Sequence, residues 1–574
     1  MHKYRIDKNI STISRAKRLS VADRFSVPLS VTDEAVRTFF QSINTPRALT
    51  CWLLYSHGEH DQLANLDCVP SLYEDSFKFR SDYAATKFLS KAEFLETSYD
   101  RERVALDKFS LSEARCRDTN SRFSDLSKDP LFKGPNVWLL NAVTQKIDKI
   151  LGEFDPEEWF DQCSWGPGST YHVRGKDTST TNKFRKERGI TRDLHCLITG
   201  LVEKAYPLWG ATLTDQYDFV QGDRLMTVRK NAKTDRVILT QPGLNMFFQK
   251  GVGEMISKRL LRNEGIDLST QERNGLLAFY GSFTSQLATI DFSSASDMIS
   301  KSVVREVVKN NTWYQVLDCC RSKYYKCNGD WFESQKFSAM GNGFTFPLQS
   351  LIFAAAAISV CEYLKLGSEY VGVFGDDVVL PTPAAALFAE FCTFLGFELN
   401  ASKSFVEGHF RESCGTHYLR GLDVKPIFLK KALSNVESLY TLANNVRRLA
   451  HRWGFGLGCD ARFRQCWSFI RRKAPKRLRT PICEGFGDGG FICNFDEAIP
   501  PIRRAQGQME GYTFLALVRV GVSRISEDLA CLLDHLFYTS SERKRGNSSY
   551  LRAVTKLRNV RVLTPRWVDL GPWI

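Results

Sequence analysis

The chain has 574 residues, 43% hydrophobic and 25% charged, the proportions of an ordinary globular protein with room for several subdomains. Lysine and arginine outnumber aspartate and glutamate 78 to 64, and the net charge of +14 points to a polyanionic partner, nucleic acid first. The sixteen cysteines have no repeating spacing; they exclude a small disulfide scaffold and fit free thiols in a reducing cytosol.

The basic N-terminus up to Arg24 lacks the apolar core of a signal peptide. Residues 1 to about 160 alternate amphipathic helical stretches with polar loops, with helical spacing over Asp33 to Phe40 and Asn141 to Phe154. Lys3, Arg5, Lys8, Arg15, Lys17, Arg18 and Arg24 read as a solvated face or an RNA contact. Ser164-Trp-Gly-Pro-Gly-Ser-Thr170 is a Gly/Pro turn without the lysine and helix entry of a P-loop. The polar segment Arg174 to Arg192 reads as a mobile surface loop. Arg224 to Lys230 and Arg236 to Thr240 alternate like two strands of a hairpin. Lys230, Lys233 and Arg236 lie at three-residue intervals across its connection, either as a solvated basic turn or as a cradle for a polyphosphate. Gly243 to Leu261 is a helical run whose apolar positions belong to a core.

Leu287 to Ile290 reads as a strand that ends at Asp291. A Ser-rich break follows, with Asp297 at or near the start of a helix over Lys301 to Val308; Asp297 is an N-cap or an acceptor beside a ribose 2′-hydroxyl. Ser338 to Pro347 opens an Ala-rich helix, and its glycines at 341 and 343 let backbone approach a ligand closely. The apolar run Leu351 to Val360 is too short to span a bilayer and reads as a buried helix, so no membrane is implied. Tyr370 to Phe374 and Val378 to Leu380 flank Gly375-Asp376-Asp377, a tight hairpin between buried strands. Two neighbouring carboxylates on rigid backbone repel, and tend to keep a proton unless a cation sits between them. Hard oxygen donors select Mg²⁺ or a similar ion. Asp291, Asp376 and Asp377 together can hold two cations roughly 3.5–4 Å apart, the arrangement that activates a hydroxyl and steadies a leaving pyrophosphate.

A helix over Ala384 to Leu395 leads to Phe397-Glu-Leu-Asn-Ala-Ser-Lys403. His409, Cys414 and His417 lack the paired spacing of a zinc site. From Arg447 to Arg479 the chain carries eleven lysines and arginines against one acid, Asp460, interleaved with Trp453, Phe455, Phe463, Trp467 and Phe469. The charges, among them Arg447, Arg448, Arg452, Arg471, Arg472 and Lys473, are assigned to RNA, and the rings to packing. The stretch from Glu542 to Arg561 is basic again.

Asp291-x5-Asp297, Gly341-Asn-Gly-Phe-Thr345 and Phe374-Gly-Asp-Asp377 resemble motifs A, B and C of RNA-dependent RNA polymerases, in the family's order. Lys230-Asn-Ala-Lys-Thr-Asp-Arg236, Pro242 to Phe248 and Met340 to Phe346 are closer still to the replicase catalytic (beta) subunits of single-stranded RNA bacteriophages, the levivirus family. The likeness runs from about Trp165 to Lys430.

It implies an α+β right-hand polymerase with an antiparallel palm sheet. Residues 1–284 would form the N-terminal region and fingers, with motif F at 224–240. The palm would span 285–430, with motifs A at 287–297, B at 338–349, C at 370–380, D at 397–404 and E at 410–430; thumb and basic C-terminal region would take 431–574. It implies two Mg²⁺ ions, for which Mn²⁺ or Ca²⁺ can stand in, on Asp291, Asp376 and Asp377. Nucleotide contacts would come from Lys230, Lys233, Arg236, Asp297, Gly341, Asn342 and Thr345, with Lys403 as the general acid for pyrophosphate. Motif B departs from the usual pattern at Met340 and Gln349, which leaves Thr345 or Asn342 to orient Asp297; Phe374 stands where a tyrosine is more usual.

The implied activity is primer-independent copying of a phage RNA genome from nucleoside triphosphates, in the cytoplasm of a bacterial host. The implied host partners are elongation factors Tu and Ts, the largest small-subunit ribosomal protein and an RNA-binding factor. A reverse transcriptase and a non-catalytic RNA-binding protein are the alternatives.

Overall fold

The Ala-rich run becomes the helix Thr345–Tyr363, apolar on every side and buried along nearly its whole length. A helix without a polar face belongs in an interior, and its four consecutive alanines let neighbours come close. The helices Pro135–Leu151 and Gly243–Glu264 pack against it. Among the described residues it is the one helix long and apolar enough to cross a membrane, and it lies in the core. The computed structural model describes residues 25–175, 178–213, 216–498, 502–504, 510–520, 554–563 and 567–574. The basic residues from Lys3 to Arg24, and 542–553 of the C-terminal basic stretch, lie outside the described residues.

The architecture is mixed helix and sheet. Beside the buried helix stands a three-stranded antiparallel sheet in the order Leu287–Ile290, Asp377–Pro381, Gly372–Phe374. Val378, Val379 and Leu380 are wholly buried, so both faces of the middle strand are covered. The basic hairpin forms as its alternation predicts: Asp223–Arg229 pairs antiparallel with Asp235–Thr240, Arg224 opposite Thr240 and Arg229 opposite Asp235. Tyr324–Cys327 and Asp330–Glu333 extend it to four strands.

The segment expected as a mobile surface loop, Arg174 to Arg192, is folded where it is described, with a helix at Thr180–Lys186 and a short strand at Gly189–Ile190. Phe184 is buried edge-on against Trp165 and Trp209. The buried Glu187 carboxylate meets His172 Nδ1 at 2.7 Å. Lys183 and Glu187, two of the charges that suggested a solvated loop, are buried instead, while Arg174, Lys186 and Arg192 stay exposed.

Residues 59–428 form one compact unit; of the other described residues, 25–58, 429–520 and 554–574 form a second. In the second, the helix Leu29–Ile43 packs on the helix Arg464–Lys473, with the Phe39 and Phe463 rings 6.0 Å apart. The helix Val436–Trp453 opens on a capping box of Asn435 and Ser438.

Candidate active site

Asp291 is the first residue beyond the strand Leu287–Ile290, and Ile290 pairs with Val378. One more antiparallel step sets Asp291 across from Asp377, on a shared face of the sheet. Asp377 itself pairs with Phe374, so the connection is the two-residue turn Gly375-Asp376. Gly375 has φ +66°, the left-handed backbone that the first position of a two-residue hairpin turn requires. Its amide donates to Ser350 Oγ at 2.9 Å, which ties the tip to the buried helix.

Three carboxylates thus share one end of a rigid sheet, and their charges are felt. Burial first, and then the charge of Asp291, raise the Asp376 carboxyl above its usual range. Burial and the charge of Asp376 push Asp377 up to about 7. Asp291 is raised by burial, although Asn400 Nδ2 donates to its Oδ2 at 2.7 Å and Lys403 Nζ stands 3.7 Å from the same oxygen. Glu412, from the strand Phe410–Ser413, adds a fourth negative charge to the group and is itself raised by burial. Burial works against the Lys403 ammonium, but the surrounding carboxylates of Asp291, Glu412, Asp377 and Asp376 raise it overall.

Among the described residues, no three His, Cys, Asp or Glu side chains are gathered tightly enough to hold a metal ion. The donor chemistry nonetheless fits one. Hard oxygens that drive each other toward protonation are relieved by a divalent cation.

Lys230 and Arg236 belong to this group. Arg236 is exposed and its charge reaches Asp376. Lys230 is also exposed, yet desolvation and then the charges of Arg236 and Lys403 hold it below the usual lysine range. Lys233 points elsewhere and donates to Asn65 Oδ1 at 3.2 Å. Three-residue spacing cannot keep all three cations on one side of a hairpin connection.

The surroundings of Asp297 are built differently from expectation. Thr345 Oγ1 donates to the Ala339 carbonyl at 2.9 Å, and Asn342 Oδ1 accepts from the Phe344 amide, so neither reaches Asp297. Lys336 does: its fully buried Nζ donates to Asp297 Oδ1 at 3.2 Å, 3.7 Å from Glu113 and 3.3 Å from the centre of the Phe109 ring. Next to Asp297, Ser296 Oγ donates to Gln349 Oε1 at 2.9 Å, while the buried Gln349 Nε2 has no hydrogen-bond partner. Gly341, at φ +114°, and Gly343 approach protein rather than open space. A Cβ at 341 would stand 2.1 Å from the Leu239 carbonyl, and one at 343 would stand 2.9 Å from the Lys250 amide.

Lys336, Glu412 and Ser350 carried no local signal in the sequence. Asn400 did, three residues before Lys403 in a polar turn.

The six cations assigned to RNA divide. Arg472 and Lys473 are exposed, and Arg471 is half-buried with its guanidinium 5.5 Å from the Trp467 ring. Arg448 is bound to Glu484 and Asp488, and Arg452 is half-buried. Arg447 is a correction: it is wholly buried, donates to Glu497 and Asn494 at 2.6 Å each, and lies between the Trp467 and Trp573 rings. The spacing held the reason. Arg447 falls four residues after Ala443 and three before Ala450, on the stripe that the helix buries.

The family described as RNA replicase, beta-chain matches residues 47–499. The chain is 35% identical over 450 residues to the RNA-directed RNA polymerase subunit beta of Escherichia virus Qbeta, covering 77% of this chain and 74% of that one. It is 34% identical over 429 residues to the protein of the same name from Enterobacteria phage SP, covering 74% and 73%. It is also 34% identical over 403 residues to the RNA-directed RNA polymerase beta chain of Escherichia phage MS2, covering 68% and 71%. A solved structure described as an in situ BmCPV RNA-dependent RNA polymerase at elongation state aligns with 59% of this chain and 33% of that one. At 11% identity and a TM-score of 0.37 that likeness carries no argument. These relatives favour neither a reverse transcriptase nor a non-catalytic RNA-binding protein. With a family match across most of its length and relatives this similar, the chain belongs to the RNA replicase beta-chain family and is an RNA-directed RNA polymerase of phage replication.

Proposed function

We propose that the sheet end carrying Asp291, Asp376 and Asp377 is the nucleotidyl-transfer centre. The observation that supports it most is the register that sets Asp291 across from Asp377, with the charge of Asp291 raising Asp376 and the charges of Asp376 and Asp291 raising Asp377. Asp291, Asp376 and Asp377 are the residues that would hold two Mg²⁺ ions. Two such ions, when bound, activate a 3′-hydroxyl and neutralise the triphosphate. The chain's own residues do the rest. Arg236 and Lys230 draw the triphosphate toward the acids and hold its charge as pyrophosphate departs. Lys403, kept protonated by four carboxylates, supplies the proton to pyrophosphate. Asp297, held by Lys336, accepts the ribose 2′-hydroxyl and so selects RNA precursors. Gly341, Asn342 and Thr345 shape the backbone beneath the incoming nucleotide. Arg472 and Lys473 lie along the product strand.

In this reading the three-stranded sheet is the palm of a right-hand polymerase, spanning 285–430. Residues 1–284 supply the fingers and 431–574 the thumb, with 25–58 folded into the thumb's unit. The relatives' names, subunit beta and beta chain, support a place as one subunit of a larger replicase. Elongation factors Tu and Ts, the largest small-subunit ribosomal protein and a host RNA-binding factor are the partners proposed, in the bacterial cytoplasm.

The test is Asp376→Asn. Ribonucleotide incorporation on an RNA template should fall on the order of 10³-fold or more, about 4 kcal/mol of barrier. Incorporation at the wild-type rate would refute the assignment.

A further inference from the structure

Away from the acids, the 59–428 unit holds a cavity of about 460 Å³ whose lining includes Arg192, Asp193, Phe219, Arg321, Lys323 and Tyr324. It lies at the far end of the basic hairpin. Asp223, at the start of that hairpin, pairs with Tyr325, the neighbour of Tyr324. Lys230 follows the other end, seven strand residues and roughly 20 Å away.

Two rings at this cavity face solvent: Phe219 is 47% exposed and Tyr324 38%. Phe219 is braced, with its ring edge-on to His195 at 5.0 Å. Arg192 lies over the same ring, 5.5 Å from its centre, and makes no ion pair among the described residues. Arg321 is buried. Its Nε donates to Asp318 at 2.7 Å, and its Nη1 has no hydrogen-bond partner. Lys323 is shared between Asp193 at 2.9 Å and Asp318 at 3.1 Å. Asp193 and Asp318 hold Lys323 and the Nε side of Arg321, which leaves Arg192 as the lining cation with no ion pair among the described residues. That matches a phosphodiester, with its single charge, better than a free triphosphate with about four. An exposed, braced ring at Phe219 and a second exposed ring at Tyr324, beside an arginine without an ion pair, suit a nucleobase joined to that phosphate.

We propose that this cavity docks one nucleotide of single-stranded RNA outside the catalytic centre, its base against Phe219 and Tyr324 and its phosphate on Arg192 and Arg321. The proposal rests on the chain being an RNA polymerase, and it concerns a contact that only a strand long enough to leave the catalytic centre can make.

The experiment compares fluorescein-labelled oligouridylates of 20 and 5 nucleotides, by anisotropy across a salt series, on the full chain. The double variant Arg192→Ala/Phe219→Ala should bind the 20-mer roughly 10-fold more weakly, the size of one lost base stack, with a salt slope reduced by about 0.7. Binding of the 5-mer and addition of one ribonucleotide to a short template should not change. Arg192→Lys/Phe219→Trp should restore most of the loss, which separates contact from misfolding. Equal weakening of both oligomers, or of neither, would overturn the proposal. So would displacement of the 20-mer by ATP from wild type alone, which would mark a free-nucleotide site. If wild type added no ribonucleotide, the polymerase reading would fail, while the oligomer comparison would still decide this one.

Discussion

Asp377 titrates near neutrality in the folded chain, at about 7, because burial and the charge of Asp376 both oppose its ionisation; unfolded, it returns to 3.8. A carboxyl that binds its proton more tightly when folded removes stability as pH rises between those two values. Below about 4 both states are protonated, and above about 7 the folded state holds an unwelcome charge that the unfolded chain solvates freely. In EDTA, therefore, the unfolding midpoint should decline between pH 5 and 7.5. Asp377→Asn should flatten that decline and raise the midpoint at pH 7.5 by on the order of 1–3 °C. Calorimetry reads this directly, and a slope unaffected by the substitution would mean that the carboxyl is ordinary. Lys336 shows the opposite logic. A lysine with no exposed side-chain area survives in the interior only because Asp297 and Glu113 flank it, and because the Phe109 ring lies under its ammonium.

Between elements, the crossing of the Met340-Gly341 segment over the basic hairpin is fixed by backbone. The Leu239 amide donates to the Met340 carbonyl at 2.9 Å, and Gly341 follows at φ +114° with no room for a Cβ. Gly341→Ala should destabilise the fold by roughly 2–3 kcal/mol, from strain and from a displaced strand together. Gly168→Ala, where nothing stands within 4 Å, should stay within about 0.5 kcal/mol. Denaturant titration that finds the two alike would show that the crossing is loose. On the helix Val436–Trp453, Arg447→Ala should cost about 3–5 kcal/mol, because it strips the partner from Glu497 and opens the space between two tryptophans. Arg472→Ala should leave stability unchanged and lower the salt slope of RNA binding by about 0.7. The reverse pattern would return Arg447 to the RNA surface.

At the scale of the molecule, what could be read in advance was whatever repeats locally. The aspartate hairpin, the basic hairpin and the buried Ala-rich helix each follow from alternation or composition over a dozen residues. Asp291 and the 376–377 doublet could be matched because two strand ends with acids are a local signal at each end. The pairing of Asp297 with Lys336 could not be, since 39 positions separate them and nothing periodic connects them. The segment Arg174 to Arg192 was misjudged for the same reason: the aromatic neighbours of its Phe184, Trp165 and Trp209, lie in other segments. Arg447 differs, because its place on the buried stripe was visible and the density of basic residues hid it.

The second unit joins residues 25–58 to segments that begin at 429. On the ribosome, the early piece must wait for some 370 further residues before its packing partners exist, roughly 20–75 s at bacterial elongation rates. During that interval Phe39, whose ring stands 6.0 Å from that of Phe463 in the finished protein, waits for the later segment that supplies it. Translation that stops before about residue 470 would then yield a chain with an assembled 59–428 unit and an unfinished second one.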